Sequence, residues 1–289
     1  MPTHLLLGLL TLIVACATTY ADANVRVVAK KTGGVEIYRP GLDTPIFAFN
    51  APADGRPYVH PILAPDGKGV LTEFSPGHHK HQTGIYVGFL KVNGRDYFHN
   101  RAGDYFRRTG FKLHDKAEGT QFTSVYELLD AKKNPQLTET QTWTFRDYTQ
   151  SYSIDFDLVL KAHTDVTFDK HDYGGLFIRT PFKNQPGAKA INSEGQSNGK
   201  AEGQKARWVD IGMTVEGRKD SAHIAVLSHE PVIWRVDGQL GVGPARSRSG
   251  AWKLAKDESA VFRYRFLVYT GEFQQNQIEA EWKAFAEKK

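Results

Sequence analysis

The sequence predicts an all-β fold built from antiparallel strands, with one short helix at the C-terminus. Apolar and polar residues alternate in several stretches, which is typical of strands with one buried and one solvent-facing side; these stretches are 121–129, 137–145, 151–160 and 261–271. Pairs of turn-forming residues, such as Asn93-Gly94 and Asp237-Gly238, separate the apolar runs at short intervals. Short alternating strands joined by tight turns favour antiparallel pairing.

Three segments define the elements between and after these strands. Asn93-Gly94, between 86–92 and 95–98, predicts a hairpin, because both central residues of a type I′ turn need positive φ. Residues 183–205 lack apolar periodicity and predict a long loop, either a mobile surface insertion or a lid over a site. The tail 273–289 predicts a helix whose apolar face consists of the following residues: Phe273, Ile278, Trp282 and Phe285.

Residues 1–23 predict an export signal. An apolar run from Leu5 to Ala15, too short to cross a bilayer, precedes small residues that end at Ala23. Cleavage after Ala23 has an alternative. The segment 13–16 resembles the lipobox of bacterial lipoproteins, and cleavage there would leave Cys16 to carry a lipid anchor. We therefore expect export to the periplasm or the cell exterior, with or without that anchor, and a single domain over 24–289.

Composition excludes several classes of function. Cys16 is the only cysteine, so no second cysteine exists to form an internal disulfide or to complete a zinc ribbon. The formal net charge is +5, but no basic run is longer than a pair, and we predict no nucleic-acid partner. The positive sign favours an acidic ligand such as a uronate. Beyond residues 1–23 the sequence contains no apolar run of membrane-spanning length, no phosphate loop and no nucleophile elbow.

Three histidines gather in the segment 75–84, SPGHHKHQTG, just before an apolar run. His79 and His81 project from the same side if this segment is extended, and His60 could supply a third imidazole from a neighbouring strand. Three imidazoles suit zinc or a similar divalent metal ion. The pattern equally allows acid–base or substrate contact by His79 and His81, or no direct role for them.

Two polar clusters in the second half of the chain are candidates for ligand contact. In HDYGGLFIRT, Tyr173 precedes a glycine pair that favours close backbone approach, and Arg179 suits a bidentate contact to a carboxylate. In LSHEPVIWRVDG, adjacent strand residues point to opposite faces, so only one of His229 and Glu230 can line a given pocket, and we choose His229 as the acid–base candidate. Trp234 and Arg235, in the same segment, are candidates for sugar binding.

The segment 207–212, RWVDIG, is a further candidate. Trp208 and Asp210 share one face of a strand, which places an aromatic platform beside a carboxylate, an arrangement suited to a sugar ring. A buried, purely structural Trp208 is the alternative interpretation.

The run 56–98, which contains RPYVHP and SPGHHKHQTG, resembles a bacterial family of unknown function called PmoA-like. The likeness continues through YGGLFIR, ARWVDIG, HEPVIWRVDGQLGVGP and YRFLVYTGE. His60, His79, His81 and Gly84 match the family's pattern, while His78 occupies a position that is usually acidic. The resemblance implies a β-supersandwich like that of galactose-mutarotase-like proteins and a role in glycoside or polysaccharide breakdown. The name also implies a methane monooxygenase subunit, which we interpret as a misnomer because such a subunit needs several apolar spans.

Together these observations predict an exported carbohydrate-active enzyme of the hydrolase, lyase or epimerase type. Its predicted catalytic residues are His79, His81, His229 and Arg179, and its predicted substrate-binding residues are Tyr173, Trp208, Asp210, Trp234 and Arg235. The alternative is a non-catalytic glycan-binding or cell-envelope protein, in which the histidines are structural and Trp208 or Trp234 stacks on a sugar.

Overall fold

A computed structural model describes residues 25–77, 79–114, 119–182, 187–238 and 241–287. The predicted export signal, Cys16 and His78 lie outside the described residues. Within the described ranges, no helix is long and apolar enough to span a membrane.

The described chain forms strands β1 to β17 and one helix, α1. Their bounds are β1 Arg26–Ala29, β2 Gly34–Tyr38, β3 Phe47–Asn50, β4 Tyr58–Ile62, β5 Ile85–Gly88, β6 Phe106–His114, β7 Thr120–Leu129, β8 Pro135–Asp147, β9 Tyr152–Ala162, β10 Val166–Phe168, β11 Gly175–Arg179, β12 Lys189–Asn192, β13 Lys205–Met213, β14 Ala222–Asp237, β15 Gly241–Pro244, β16 Trp252–Leu254, β17 Ser259–Thr270 and α1 Gln275–Ala286. Short 3-10 turns occupy Asn198–Lys200 and Arg246–Ser249.

The strands form two antiparallel sheets that share β14. Sheet 1 has the order β1-β2-β3-β4-β5-β11-β15-β14, and sheet 2 has the order β12-β13-β14-β17-β9-β8-β7-β6. Residues 222–228 of β14 pair with β17 in sheet 2, whereas residues 234–237 pair with β15 in sheet 1. A small ribbon of β10 and β16 completes the strands. The predicted all-β antiparallel sandwich is confirmed.

The core lies between the two sheets and is rich in aromatic side chains. Phe49 of β3 contacts Phe122 of β7 with ring centroids 4.9 Å apart, and Trp143 of β8 stacks on Phe156 of β9 at 4.0 Å. Phe122, Trp143 and Phe156 come from the stretches whose alternation predicted buried strand faces, whereas Phe49 lies outside those stretches. Burial of large aromatic surfaces is the main stabilising contribution to such a core.

The predicted hairpin turn is confirmed. Asn93 and Gly94 have φ values of 48° and 78°, as a type I′ turn requires, and the backbones of Val92 and Arg95 pair across it. The prediction of an unstructured loop over 183–205 is wrong in part, because β12 lies inside it. This short strand pairs with β13, so a long-range partner supplies the hydrogen bonds that its local sequence does not indicate.

Helix α1 packs on the face of sheet 2 that points away from the core. Ile278 and Phe285 are buried there, and Phe273 and Trp282 pack at the margin of the same cluster. The predicted C-terminal helix and its apolar face are confirmed. The helix therefore covers a surface that would otherwise be the solvent-facing side of the sheet.

Glu139 is a buried carboxyl group in β8, and burial raises its pKa to about 7. Its partner is the Gln141 amide, which donates a hydrogen bond of 2.7 Å. A pKa raised in the folded state means that stability is complete below the unfolded pKa and falls as pH rises toward about 7. We expect Glu139→Gln to remove this fall, whose slope is at most about 1.4 kcal/mol per pH unit. Urea denaturation at several pH values measures it.

Glu127→Gln serves as the control for that experiment. Glu127 lies on the neighbouring strand β7, and its carboxylate forms a surface ion pair with Arg107 at 2.7 Å. We expect this variant to keep the wild-type pH dependence. An unchanged slope in the Glu139 variant would contradict the assignment of the slope to this buried group.

Candidate functional site

A cavity of about 340 Å³ opens on the side of sheet 1 that faces away from the core. We call it the His pocket. It is lined by residues from the loop before β5, the segment after the Asn93-Gly94 turn, β11 and its approach, and the end of β14: His79, His81, Gln82, Phe98, His99, Tyr173, Phe177, Arg235 and Asp237. Strand alternation explains the position, because Leu176 and Ile178 of β11 enter the core while Phe177 between them points outward.

Aromatic rings line part of the His pocket. Phe98 lies 5.3 Å from Phe177 and 4.9 Å from Tyr173 between ring centroids. Tyr86 of β5 packs behind them, 5.5 Å from Phe177. These residues belong to an apolar cluster that is separate from the main core. The pocket therefore has a packed aromatic wall next to its polar groups.

His99 and Asp96 form a hydrogen-bonded dyad at the edge of the pocket. Asp96 Oδ2 lies 2.7 Å from His99 Nδ1, and Asp96 Oδ1 accepts backbone N–H bonds from Phe98 and His99 at 2.8 and 3.0 Å. Burial alone would raise the pKa of Asp96, but these hydrogen bonds and the imidazole outweigh it and lower the pKa. An ionised Asp96 accepts from Nδ1–H, which leaves the Nε2 lone pair of His99 free to accept a proton.

His81 lies beside this dyad as a neutral imidazole. Its ring is 4.5 Å from the ring of His99 and 5.8 Å from that of His79. Burial, followed by the neighbouring His99, Arg56 and His79, lowers the pKa of His81 to about 4. At neutral pH it therefore offers one N–H donor and one acceptor nitrogen.

The Tyr173 hydroxyl and Arg235 complete the polar side of the pocket. The hydroxyl is 3.5 Å from His99 Nε2, and the Arg235 guanidinium lies 5.8 Å from the Tyr173 ring centroid. Arg235 pairs with Asp237 at 2.7 Å and with Glu202 at 3.2 Å. Glu202 also pairs with Arg248 at 2.8 Å, so the two carboxylates balance the two guanidinium charges of Arg235 and Arg248.

The structure brings together four of the residues that the sequence nominated, from three distant segments: His79, His81, Tyr173 and Arg235. Sequence analysis missed the dyad of Asp96 and His99. A usable signal existed in RDYFHN, where an aspartate three residues before a histidine follows a confirmed tight turn. An aspartate in that position commonly accepts the backbone N–H groups two and three residues later.

Arg179, predicted as a ligand-contacting cation, lies below the surface and outside the lining of the His pocket. It is buried, and it donates to Glu73 Oε2 at 2.6 Å and to Gln82 Oε1 at 3.1 Å. Glu73 satisfies its charge, and Gln82 is the residue that lines the pocket. The structure therefore assigns Arg179 to the support of Gln82.

His229 lies in a different cavity of about 370 Å³, formed where β14 leaves β17. Arg246, Arg263 and Tyr264 share that lining, and the His229 ring lies 5.9 Å from Phe285 of α1. The prediction that His229 acts beside His79 and His81 has no support, because the lining of the His pocket does not include it.

Three of the five predicted substrate-binding residues, Trp208, Asp210 and Trp234, are buried. Trp208 is 1% exposed, and its indole N–H donates to Glu279 of α1 at 2.9 Å. Asp210 accepts from Tyr269 and bonds to His223 under the same helix. Trp234 is 0% exposed and donates to the carbonyl of Ala206. Trp208 and Asp210 share a face, as predicted, but neither can hold a sugar there.

The predicted zinc site of His60, His79 and His81 is not assembled. His60 Nδ1 lies 2.9 Å from the Thr72 hydroxyl and its ring packs 5.5 Å from Phe74, away from the lining of the His pocket. Among the residues that the structure describes, no three His, Cys, Asp or Glu side chains are arranged to hold a metal ion.

A larger groove of about 780 Å³ adjoins the Asn93-Gly94 turn. Its lining includes Asp96, the partner of His99, together with Asp130 and Gln136, and no imidazole. The amide of Gln136 already bonds to Tyr97 within the protein. We therefore place the candidate chemistry in the smaller His pocket.

Comparisons with known proteins assign the chain to a family and give it no activity. A model described as a family of unknown function, DUF6807, matches residues 42–283, and no comparison supports the name PmoA-like. A search of curated proteins finds no match.

Solved structures with some likeness to the chain include two kinds of sugar enzyme. For the GH36 α-galactosidase AgaB of Geobacillus stearothermophilus the identity is 10% and the TM-score 0.48, over 85% of this chain and 41% of that one. For a galactose 1-epimerase of Lactobacillus acidophilus the identity is 8% and the TM-score 0.45, over 86% of this chain and 100% of that one. For a putative aldose 1-epimerase of Klebsiella pneumoniae the identity is 11% and the TM-score 0.45, over 91% of this chain and 87% of that one. The chain spans about two fifths of the length of the α-galactosidase.

Proposed function

We propose that this chain, which belongs to the DUF6807 family of unknown function, binds a neutral sugar in the His pocket and transfers protons on it. The observation that carries the proposal is the Asp96–His99 dyad, which directs a basic nitrogen into an aromatic-walled cavity beside the neutral His81. Sugar ligands need both an apolar surface for their C–H faces and polar partners for their hydroxyls.

The pocket supplies both kinds of contact at a suitable size. Phe98, Tyr173 and Phe177 offer ring surface, and Gln82 and Arg235 offer hydrogen-bond donors. A volume of about 340 Å³ lies near the lower end of small-molecule sites, about 300–1,000 Å³, and suits one sugar ring rather than a long chain.

The charges of the pocket favour a neutral sugar over the acidic ligand suggested by composition. Arg235 is balanced by Asp237 and Glu202, and Arg179 is balanced by Glu73. His81 is uncharged at neutral pH because its pKa is about 4. A carboxylate on the ligand would therefore find no unmatched positive charge among these groups.

A proton transfer suits these residues better than hydrolysis by two carboxylates. His99 Nε2 would take the proton of a sugar hydroxyl, and the Asp96 carboxylate would stabilise the resulting imidazolium. As the bond between C1 and the ring oxygen breaks, the ring oxygen would take a proton from the Tyr173 hydroxyl, which His99, 3.5 Å away, would then reprotonate. The N–H of His81 would donate a hydrogen bond to the oxygen that gains charge, and the reverse steps would close the ring on the other face of C1. The two carboxylates nearest the described lining are both engaged, Asp96 by His99 and Asp237 by Arg235, whereas two-carboxylate glycoside hydrolysis needs a pair that faces the sugar. An epimerase-type reaction is the class that we favour.

The experiment is sugar binding and turnover by His99→Phe, with His163→Phe as the matched control. His163 is exposed and bonds to Thr138 on sheet 2, outside the His pocket. Saturation-transfer NMR with neutral aldoses and the matching uronic acids measures binding, and exchange NMR between anomers measures turnover. We expect wild type and His163→Phe to bind and interconvert a neutral aldose, and His99→Phe to lose turnover.

Two outcomes would count against the proposal. If no neutral sugar binds, or if His99→Phe turns over as the wild type does, proton transfer by this dyad is wrong. Saturable binding without turnover in all three proteins would favour the non-catalytic alternative, for which the aromatic wall is sufficient.

A further inference from the structure

We propose that Arg56 is a positioning residue that fixes His81 and His99 relative to each other from beneath the His pocket. The inference rests on the proposed function for its importance, but its geometry is independent of any ligand. Arg56 is 2% exposed and is absent from the pocket lining, so it acts through other residues.

The guanidinium bridges the two backbone segments that carry the histidines. It donates to the carbonyl of Phe98, the residue before His99, at 2.5 Å, and to the carbonyl of His81 itself. The backbone N–H of Arg56 also donates to the carbonyl of Arg101, 2.8 Å away, on the far side of His99. One side chain therefore ties the loop of residues 79–82 to the segment of residues 96–101.

The surroundings of Arg56 are built to hold a planar cation. Its guanidinium lies 3.7 Å from the ring centroid of Tyr86, a distance at which the ring face attracts a positive charge. Gly88 leaves room for the arrangement, because a Cβ there would lie 2.8 Å from Phe98 Cα and 3.3 Å from Arg56 Nη1. Stacking on a ring and bridging two carbonyls at once requires a flat, forked donor, which lysine does not have.

The same cation adds to the electrostatics of the histidines. Burial lowers the pKa of Arg56 to about 10, so it remains charged at neutral pH. The groups that act on His81 are His99, Arg56 and His79, which disfavour its protonation, and Asp96, which favours it. The fixed positive charge of Arg56 thus disfavours protonation of the neighbouring His81.

The test compares Arg56→Lys and Arg56→Met with Arg265→Lys. Arg265 is an equally buried arginine, but it pairs with Asp155 and Glu281 on sheet 2. NMR of the imidazole rings on the free protein gives the titration of His81 and the ring-to-ring contact between His81 and His99. These readouts need no sugar, so they separate a failure of this inference from a failure of the proposed function.

We expect Arg56→Lys to lose the ring-to-ring contact and to bind the sugar about tenfold more weakly, as for the loss of a charged hydrogen bond. Arg56→Met should in addition raise the pKa of His81, because the positive charge is gone. Arg265→Lys should lower stability and leave His81 and His99 unchanged. If Arg56→Met does not fold, the ring-to-ring contact measured in Arg56→Lys tests the inference by itself. A folded Arg56→Lys with wild-type histidine contacts would overturn the inference.

Discussion

Asp96→Asn should lower the turnover of sugar by about 10²–10⁴-fold while it changes sugar affinity little. An asparagine amide in place of the carboxylate would donate to His99 Nδ1 instead of accepting from it. The proton of the ring would then reside on Nε2, the nitrogen that faces Tyr173 and the pocket. The base would be in its wrong tautomer although its position is kept.

The asparagine carbonyl can still accept the backbone N–H groups of Phe98 and His99, so we expect the local fold to be retained. Exchange NMR measures the rate, and the ¹⁵N shifts of His99 report the tautomer, which a purely structural effect would leave alone. Asp104→Asn is the control, because Asp104 is exposed and pairs with the exposed Lys133 at 3.0 Å. Wild-type turnover in Asp96→Asn, or an unchanged His99 tautomer, would refute the dyad.

Asp155→Asn should lower the free energy of unfolding by about 3 kcal/mol, because it removes the central charge of a largely buried ion-pair network and leaves Arg146 without its carboxylate partner. Asp155 of β9 contacts Arg265 of β17 at 2.6 and 3.0 Å and Arg146 of β8 at 2.6 Å. Arg265 in turn binds Glu281 of α1 at 3.0 Å. The network therefore joins three strands of sheet 2 to the helix that covers them.

The pH dependence of the free energy of unfolding should also report the contribution of Asp155. Burial alone would raise the pKa of Asp155, but the hydrogen bond and charge of Arg265 and the charge of Arg146 outweigh it and lower the pKa. A carboxyl group whose pKa is lower in the folded than in the unfolded protein stabilises the fold at pH values above its unfolded-state pKa. This stabilisation is lost as pH falls through the folded-state pKa. We expect Asp155→Asn to remove that acid-sensitive part of the wild-type curve.

Asp157→Asn is the matched control on the same strand. Asp157 is 47% exposed and contacts Arg263 at 3.3 Å, so its loss should cost less than about 1 kcal/mol. Urea denaturation of both variants gives the two free energies. Equal and small losses would show that the buried network does not stabilise the fold.

Local sequence patterns were sufficient for most of the architecture. The alternation in 151–160 identified the face of β9 that enters the core, Asn93-Gly94 identified a turn, and the apolar spacing in the tail identified α1. These features depend on residues close in sequence, since strand period, turn conformation and helix period are set by the local backbone. The predicted export signal and the anchor at Cys16 stay predictions.

The candidate site depended on contacts that no local pattern contains. The cluster around His79 and His81 was visible in sequence, but His99 reaches it only because the chain returns after the turn. Arg179, which the sequence suggested as a ligand contact, instead donates a hydrogen bond to Glu73, 106 residues away in the chain. Which polar groups satisfy one another is decided by long-range packing.

Trp208 and Asp210 illustrate the difference most directly. The sequence alone determined that they share one face of a strand, because successive side chains alternate between the two sides of a sheet. It did not determine what covers that face. Only the tertiary structure decided that α1 covers Trp208 and that Tyr269 and His223 enclose Asp210, since burial depends on what lies opposite a surface and not on the period of the strand that forms it.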